Sequence, residues 1–164
     1  MTFVVRHPII EDQFLSFTSS PTEDRPIDAG RLVRLVEDRT VDTVADASDT
    51  DYRVFGWLMQ KVKDPYTDMP TSFLMRSDLG STDAFVGDPV GVAHGPGAVY
   101  ETDQYVDEGA DGIDYGTALY CDDDGKLSDS NADSAHDGPH AIAMNTLTAT
   151  QCAAGAMLLI KALV

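Results

Sequence analysis

Ile113-Asp-Tyr-Gly-Thr-Ala-Leu-Tyr-Cys121 runs into Asp122-Asp-Asp-Gly125 and resumes at Lys126-Leu127. Two extended stretches flank an Asp-Gly corner. Asp and Gly accept the left-handed backbone of a tight reversal, so the stretch predicts a β-hairpin. On its C-terminal side, residues 129–139 read as a polar loop. Residues 141–145 and 156–164 are apolar segments, joined by a connection over 146–155. On its N-terminal side, residues 107–112 (DEGADG) are a second turn and residues 98–106 (AVYETDQYV) alternate as a strand. His94-Gly-Pro-Gly97 is a tight corner, where Gly supplies positive φ and Pro presets the other position.

Further back, residues 85–93 (FVGDPVGVA) are strand-like but broken by Gly87 and Pro89. Residues 63–83 form a loop excursion with two prolines. Residues 52–62 (YRVFGWLMQKV) have a period that fits strand or helix. Their Tyr, Val, Phe and Trp content, without an N-cap, favours strand. Residues 41–51 (VDTVADASDTD) are acidic and turn-rich. Residues 27–36 turn at Asp28–Gly30 and continue as a β-branched strand.

The sum is seven to nine short strands with turns every 8–12 residues. This predicts an all-β fold, a small β-barrel or β-sandwich. Thirteen Gly and eight Pro suit that number of turns. Residues 27–164 make one domain with a loop insertion near 63–83. Residues 1–26 are expected to be an extended N-terminal arm, because Ser16–Pro26 (SFTSSPTEDRP) resists regular pairing. Phe3, Val5, Ile9, Ile10, Phe14, Leu15 and Phe17 are too apolar for a free tail. They are expected to contact the chain's own domain, a neighbouring subunit or a larger assembly.

The net charge is −17, from 28 acids and 11 bases, with 23 Asp against 5 Glu and 7 Arg against 4 Lys. Such charge strains a fold in dilute buffer but is screened in molar salt, where the Debye length falls to about 3 Å. The excess of Asp and shortage of Lys resemble proteins of haloarchaea and their viruses. The same balance excludes nucleic acid as a partner, since phosphate binding needs Lys and Arg. No apolar run reaches the roughly 20 residues that span a bilayer, so no membrane partner is expected. The N-terminus has no basic start before an apolar stretch, so no signal peptide is expected. Cys121 and Cys152 read either as one disulfide or, preferably, as two small buried hydrophobes.

Motifs that carry chemistry are weak. A calcium loop with Gly125 as its sixth position starts on Tyr120 and ends on Asn131. A loop starting at Asp129 puts Ser134 where Gly belongs. His136 and His140 are four apart, but Gly138-Pro139 forbids the helix that would align them. His7 and His94 stand beside Pro and Gly, and their imidazoles are expected to be exposed or locally bonded. There is no G-x-S-x-G elbow, Walker loop or G-x-G-x-x-G. Trp57, Phe55, Leu58 and Met59 read as core. The expectation is a non-enzyme with no catalytic residue, metal or cofactor.

Residues 113–120, Asp123-Asp-Gly-Lys-Leu127, His140-Ala-Ile-Ala-Met144 and Gly155-Ala-Met-Leu-Leu-Ile160 together resemble the head cement and decoration proteins of tailed viruses. Ala29–Val33 and Val54–Leu58 are similar to that family's first two strands. The chain departs from it at Ile142-Ala143, where the family has Ile-Gly, and in the 63–83 insertion. The resemblance implies a virion protein on the outer surface of the capsid. Its partners would be the major capsid protein and itself, as a homotrimer, and it would have no catalytic residues. The alternatives are another virion β-domain (tail tube, fibre or turret) and a secreted acidic enzyme or cation-binding module.

Overall fold

The computed structural model describes residues 4–5, 10–17, 27–37, 40–44, 54–63, 83–85, 89–131 and 138–164. Among them are β1 (Val4–Val5), β2 (Ile10–Phe17), β3 (Leu32–Glu37), β4 (Thr40–Thr43), β5 (Val54–Leu58), β6 (Lys61–Lys63), β7 (Asp83–Phe85) and β8 (Pro89–His94). There follow β9 (Val99–Thr102), β10 (Tyr105–Val106), β11 (Gly112–Ile113), β12 (Ala118–Cys121) and β13 (Leu127–Ser128). The last elements are β14 (Ala141–Ala143), β15 (Leu147–Thr148), helix α1 (Ala149–Ala153) and β16 (Leu158–Ala162). The chain is all-β, with one helix of five residues among those described.

The strands form a closed barrel in the order β2-β4-β3-β5-β8 and a seven-stranded sheet in the order β1-β9-β16-β14-β12-β13-β10. Two small pairs, β6 with β7 and β11 with β15, lie beside them, and Ile27 bridges to Val62. Barrel neighbours are antiparallel except β2 and β4, which run parallel through Ser16↔Thr40 and Phe17↔Val41. Ile27, Val33, Val41, Leu58, Val90 and Val92 belong to one buried cluster. A second cluster joins Leu32, Val44, Trp57 and Ala93 to Tyr100, Leu119, Leu127, Leu158 and Ile160 of the sheet.

Side chains alternate across a strand, so adjacent residues face opposite sides. In β3, Leu32 enters the shared cluster and Val33 the other. In β5, Trp57 and Leu58 divide the same way, as do Ala93 and Val92 in β8. These strands are a wall between two cores. This is why Val54–Leu58 has no polar period: both faces of β5 are apolar. The Trp57 and Tyr100 rings, 5.5 Å apart and tilted by 46°, seat the barrel on the sheet.

The chain passes from barrel to sheet at the His94–Gly97 corner. There Gly95 (φ 119°) and Gly97 (φ 94°) donate to the carbonyls of Val164 and Ala162. A second junction is the hairpin of β12 and β13. Leu32 N–H donates to Gly125 O at 2.7 Å, and Arg31 Nη1 donates to Asp124 O at 3.1 Å. Gly125 (φ 74°) permits this approach, since a Cβ there would lie 2.9 Å from Leu32 O.

Several elements differ from expectation. The N-terminal segment expected as an arm contains β1, which pairs with β9, and β2, which is a stave of the barrel. The start of the 41–51 segment is strand β4 with Val41, Asp42 and Thr43 buried, while residues 45–51 lie outside the described residues. Residues 113–121 are two strands rather than one, broken at Gly116 (φ 87°). The 146–155 connection holds α1, capped by Thr148. Its hydroxyl accepts from Gln151 N–H while Gln151 Oε1 accepts from Thr148 N–H at 2.9 Å. This reciprocal capping box is written in Thr148-x-x-Gln151. Of the expected insertion, residues 64–82 lie outside the described residues.

Candidate functional site

The acidic hairpin turn is built by its own carboxylates. Asp122 Oδ1 accepts the amide hydrogens of Asp124 at 2.9 Å and Lys126 at 2.6 Å. Lys126 Nζ sits 3.0 Å from Asp124 Oδ2. Burial pushes the Asp122 carboxyl above its ordinary value against those two amide bonds, and the Lys126 ammonium holds Asp124 below its own. Asp122 is therefore committed to shaping the turn, and the turn to the barrel junction.

The two shifts have opposite signs with pH. Asp122, raised in the folded chain, loses stabilisation as pH climbs through its raised value, and the cost is fully present at neutral pH. Asp124, lowered, contributes above the ordinary carboxylate value and loses that contribution in acid. Asp122→Asn keeps the oxygen acceptor and removes the buried charge. It should melt higher than wild type at pH 7, with the gain vanishing near pH 3, below the ordinary carboxylate range. A scanning calorimetry trace with the variant melting lower at pH 7 would show that the charge itself holds the turn.

Among the described residues, a concave site lies at the β10 edge and α1. Tyr105, Asp107, Ala110, Ala149, Cys152 and Ala153 line a cleft of about 170 Å³, below the range of about 300–1,000 Å³ typical of ligand pockets. The Tyr105 hydroxyl donates to Ala156 O at 2.8 Å, and burial raises it above its ordinary value. Burial, then the Asp107 carboxylate, raises the Cys152 thiol. Burial, then Asp122, raises Cys121. Both thiols are free, and both are held in the neutral form that neither attacks nor binds metal readily. The packing agrees with the reading of Cys121 as a small core residue, while Cys152 is half-buried at the cleft.

Three carboxylates gather beside this cleft. One oxygen each from Asp107, Asp111 and Asp129 lies within 4.8 Å of the others. Asp107 Oδ2 accepts Gly112 N–H at 2.9 Å, and Asp129 Oδ1 accepts Glu108 N–H at 3.0 Å. Ala110 at φ 52° is the one non-glycine residue with positive φ among the described residues, and it folds the 107–112 loop over the group. Hard cations prefer all-oxygen sites of this kind. Asp107 and Asp111 read as turn residues in the sequence, because their proximity to Asp129 depends on the pairing of β10 with β13.

The other candidates are dispersed. His140 is buried at 5 % exposure. Its backbone donates to Leu119 O and accepts from Leu163, which fixes it between β12 and β16. His94 lies half-buried, with its ring 5.0 Å from Phe55. His7 and His136 lie outside the described residues. Of the expected contact residues, Val5 pairs with Tyr100, Ile10 with His94, Leu15 with Val90 and Phe17 with Val41. Phe14 sits at the register shift between Gln13 and Leu15, while Phe3 and Ile9 lie outside the described residues. No protein-family model matches the chain, and no curated protein matches it in sequence.

Proposed function

We propose that this chain is a structural virion protein that binds the outer surface of a viral capsid and cements contacts between major capsid protein subunits. The observation that supports the reading is where the resembling segments lie. Four of them fall on β16, β14, β12 and the start of β13, consecutive neighbours in the seven-stranded sheet, and the other two, Ala29–Val33 and Val54–Leu58, fall on β3 and β5 of the barrel. The likeness therefore runs along paired strands whose Leu32, Trp57, Leu119, Leu127, Leu158 and Ile160 share one buried cluster. Acting as a homotrimer belongs to the same reading. A bridging protein adds buried interface, about 1,600 Å² for a standard contact, and repetition over a symmetric shell multiplies a modest contact. The function asks for no catalytic group and no cofactor.

The test is co-sedimentation of the purified chain with assembled, undecorated capsids in molar salt, counting copies bound per major capsid subunit. Saturation at a fixed ratio near one per subunit is the expected result. A folded chain that stays in the supernatant at every concentration would overturn the reading and favour a tail or fibre component.

A further inference from the structure

The N-terminal strands follow one partner through both sheets. Val4 faces Glu101 and Val5 faces Tyr100 on β9, while Ile10 faces His94 and Ser16 faces Pro89 on β8. From Val5 to Ile10 is five steps, and from Tyr100 back to His94 is six. β1 and β2 therefore run antiparallel to residues 89–101 as one ribbon, in step to within one residue on the two sides of the His94–Gly97 corner. The other described attachment of β2 is its two parallel positions on β4. Lifting the ribbon out leaves β4-β3-β5-β8 and β9-β16-β14-β12-β13-β10 joined in order. It uncovers an edge of backbone N–H and C=O groups along β8 and β9, and such an edge takes up a strand.

Two properties of the sequence let that strand come from a neighbouring copy. Residues 18–26 join the ribbon to Ile27, and nine residues reach at most about 30 Å. That is twice the radius of gyration of about 15 Å for a domain of this length, so a ribbon can sit on a neighbour while its tether stays with its own domain. Charge points the same way. Residues 1–17 hold one base and two acids, whereas residues 18–164 hold ten bases and 26 acids. Face-to-face contact between two copies sets like-charged surfaces against each other. Exchange of the ribbon needs no new complementary surface, because each contact it makes on a neighbour is one the fold already provides.

We propose that copies of this chain assemble by exchanging residues 4–17, so that the ribbon of one copy fills the β8–β9 edge of the next. The ladder seen within one chain then forms between copies, in the same register of Val4 on Glu101 and Ile10 on His94. This rests on the homotrimer part of the capsid-binding reading, and it assigns the N-terminal segment to contact between copies. Three chains exchanging head to tail close a ring. Pulling one copy out of that ring requires a barrel to open.

Antiparallel partners lie about 4.5–5.5 Å apart at Cα, within the span of a disulfide. The double variant Val4→Cys with Glu101→Cys is therefore oxidised in molar salt and run on a denaturing gel without reductant. Wild type runs beside it to show any bridge made by Cys121 or Cys152. Most of the double variant should run as covalent dimer and trimer, and a bridged monomer would overturn the exchange. Should the pair stay unbridged or the fold be disturbed, subunit mixing decides. C-terminally tagged and untagged wild type are mixed in molar salt, and the untagged chain retained through the tag is followed with time. Exchanged copies part only as barrels open, so mixed oligomers should form no faster than the chain unfolds in the same salt. Mixing much faster than unfolding, or a wild type that stays monomeric at every concentration, would overturn the exchange and leave capsid binding standing. Failure of wild type to sediment with capsids would remove the capsid reading, with the gel and the mixing rate still deciding the exchange.

Discussion

Trp57→Ala should cost about 3–5 kcal/mol of folding stability, the range for deleting a large buried aromatic. Trp57 is fully buried in the cluster shared by barrel and sheet, and its ring meets Tyr100. At about 2–4 °C per kcal/mol for a chain of this size, the melting point should fall by about 10 °C. Trp57→Phe should cost much less. It retains a ring, and it removes an indole Nε1–H that is buried without a hydrogen-bond partner. Urea denaturation of both variants checks the pair. A cost below about 1.5 kcal/mol for the Ala variant, typical of a surface or collapsible site, would mean that barrel and sheet do not depend on this contact.

Gly56→Ala should be nearly as damaging for the opposite reason, too much matter instead of too little. A Cβ at this position would lie 2.4 Å from Ala93 O and 3.0 Å from Val92 Cγ1, both on the paired strand β8. The obstacle is backbone, so β5 and β8 would have to part. The expected cost is about 3 kcal/mol, at the upper end of overpacking. Gly91→Ala is the matched control within the same barrel. Its Cβ would meet Met59 Cβ at 3.4 Å, an ordinary contact, and it should stay within about 1 kcal/mol of wild type. Equal costs for the two variants in urea titrations would refute the close-approach account.

The legible parts of the fold were those specified by local chemistry. Asp122–Gly125 makes a turn wherever it stands, and the His94–Gly97 corner needs only its two glycines. The β-character of Val54–Leu58 was readable from its residue types, although not that its two faces serve two cores. The short β4 was hidden because Asp42 and Thr43 look like loop residues. Their burial comes from neighbours β2 and β3, contributed by other parts of the chain. Residues 1–26 misled for a related reason. Ser, Pro and acids after Ser16 suggest irregularity, but β2 ends at Phe17, before most of them, and gains its order from β8, about eighty residues away. The Asp107, Asp111 and Asp129 group was invisible because Asp is frequent throughout the chain. No local pattern marks which three meet.

The pairing of β1 with β9 and of β2 with β8 also sets a timetable. During synthesis, Ile10–Phe17 emerges long before Pro89–His94, and its other barrel neighbour β4 offers only two parallel rungs. Val4–Val5 must wait for Glu101. Until then the growing chain carries unsatisfied strands, and closing loops this long is slow compared with forming local hairpins. The hairpin of β12 and β13 and its neighbours β14 and β16 are encoded close together, so they are positioned to assemble first. The barrel would then close last around the oldest part of the chain, which makes its first two strands the segment most exposed to mispairing with other copies at high expression.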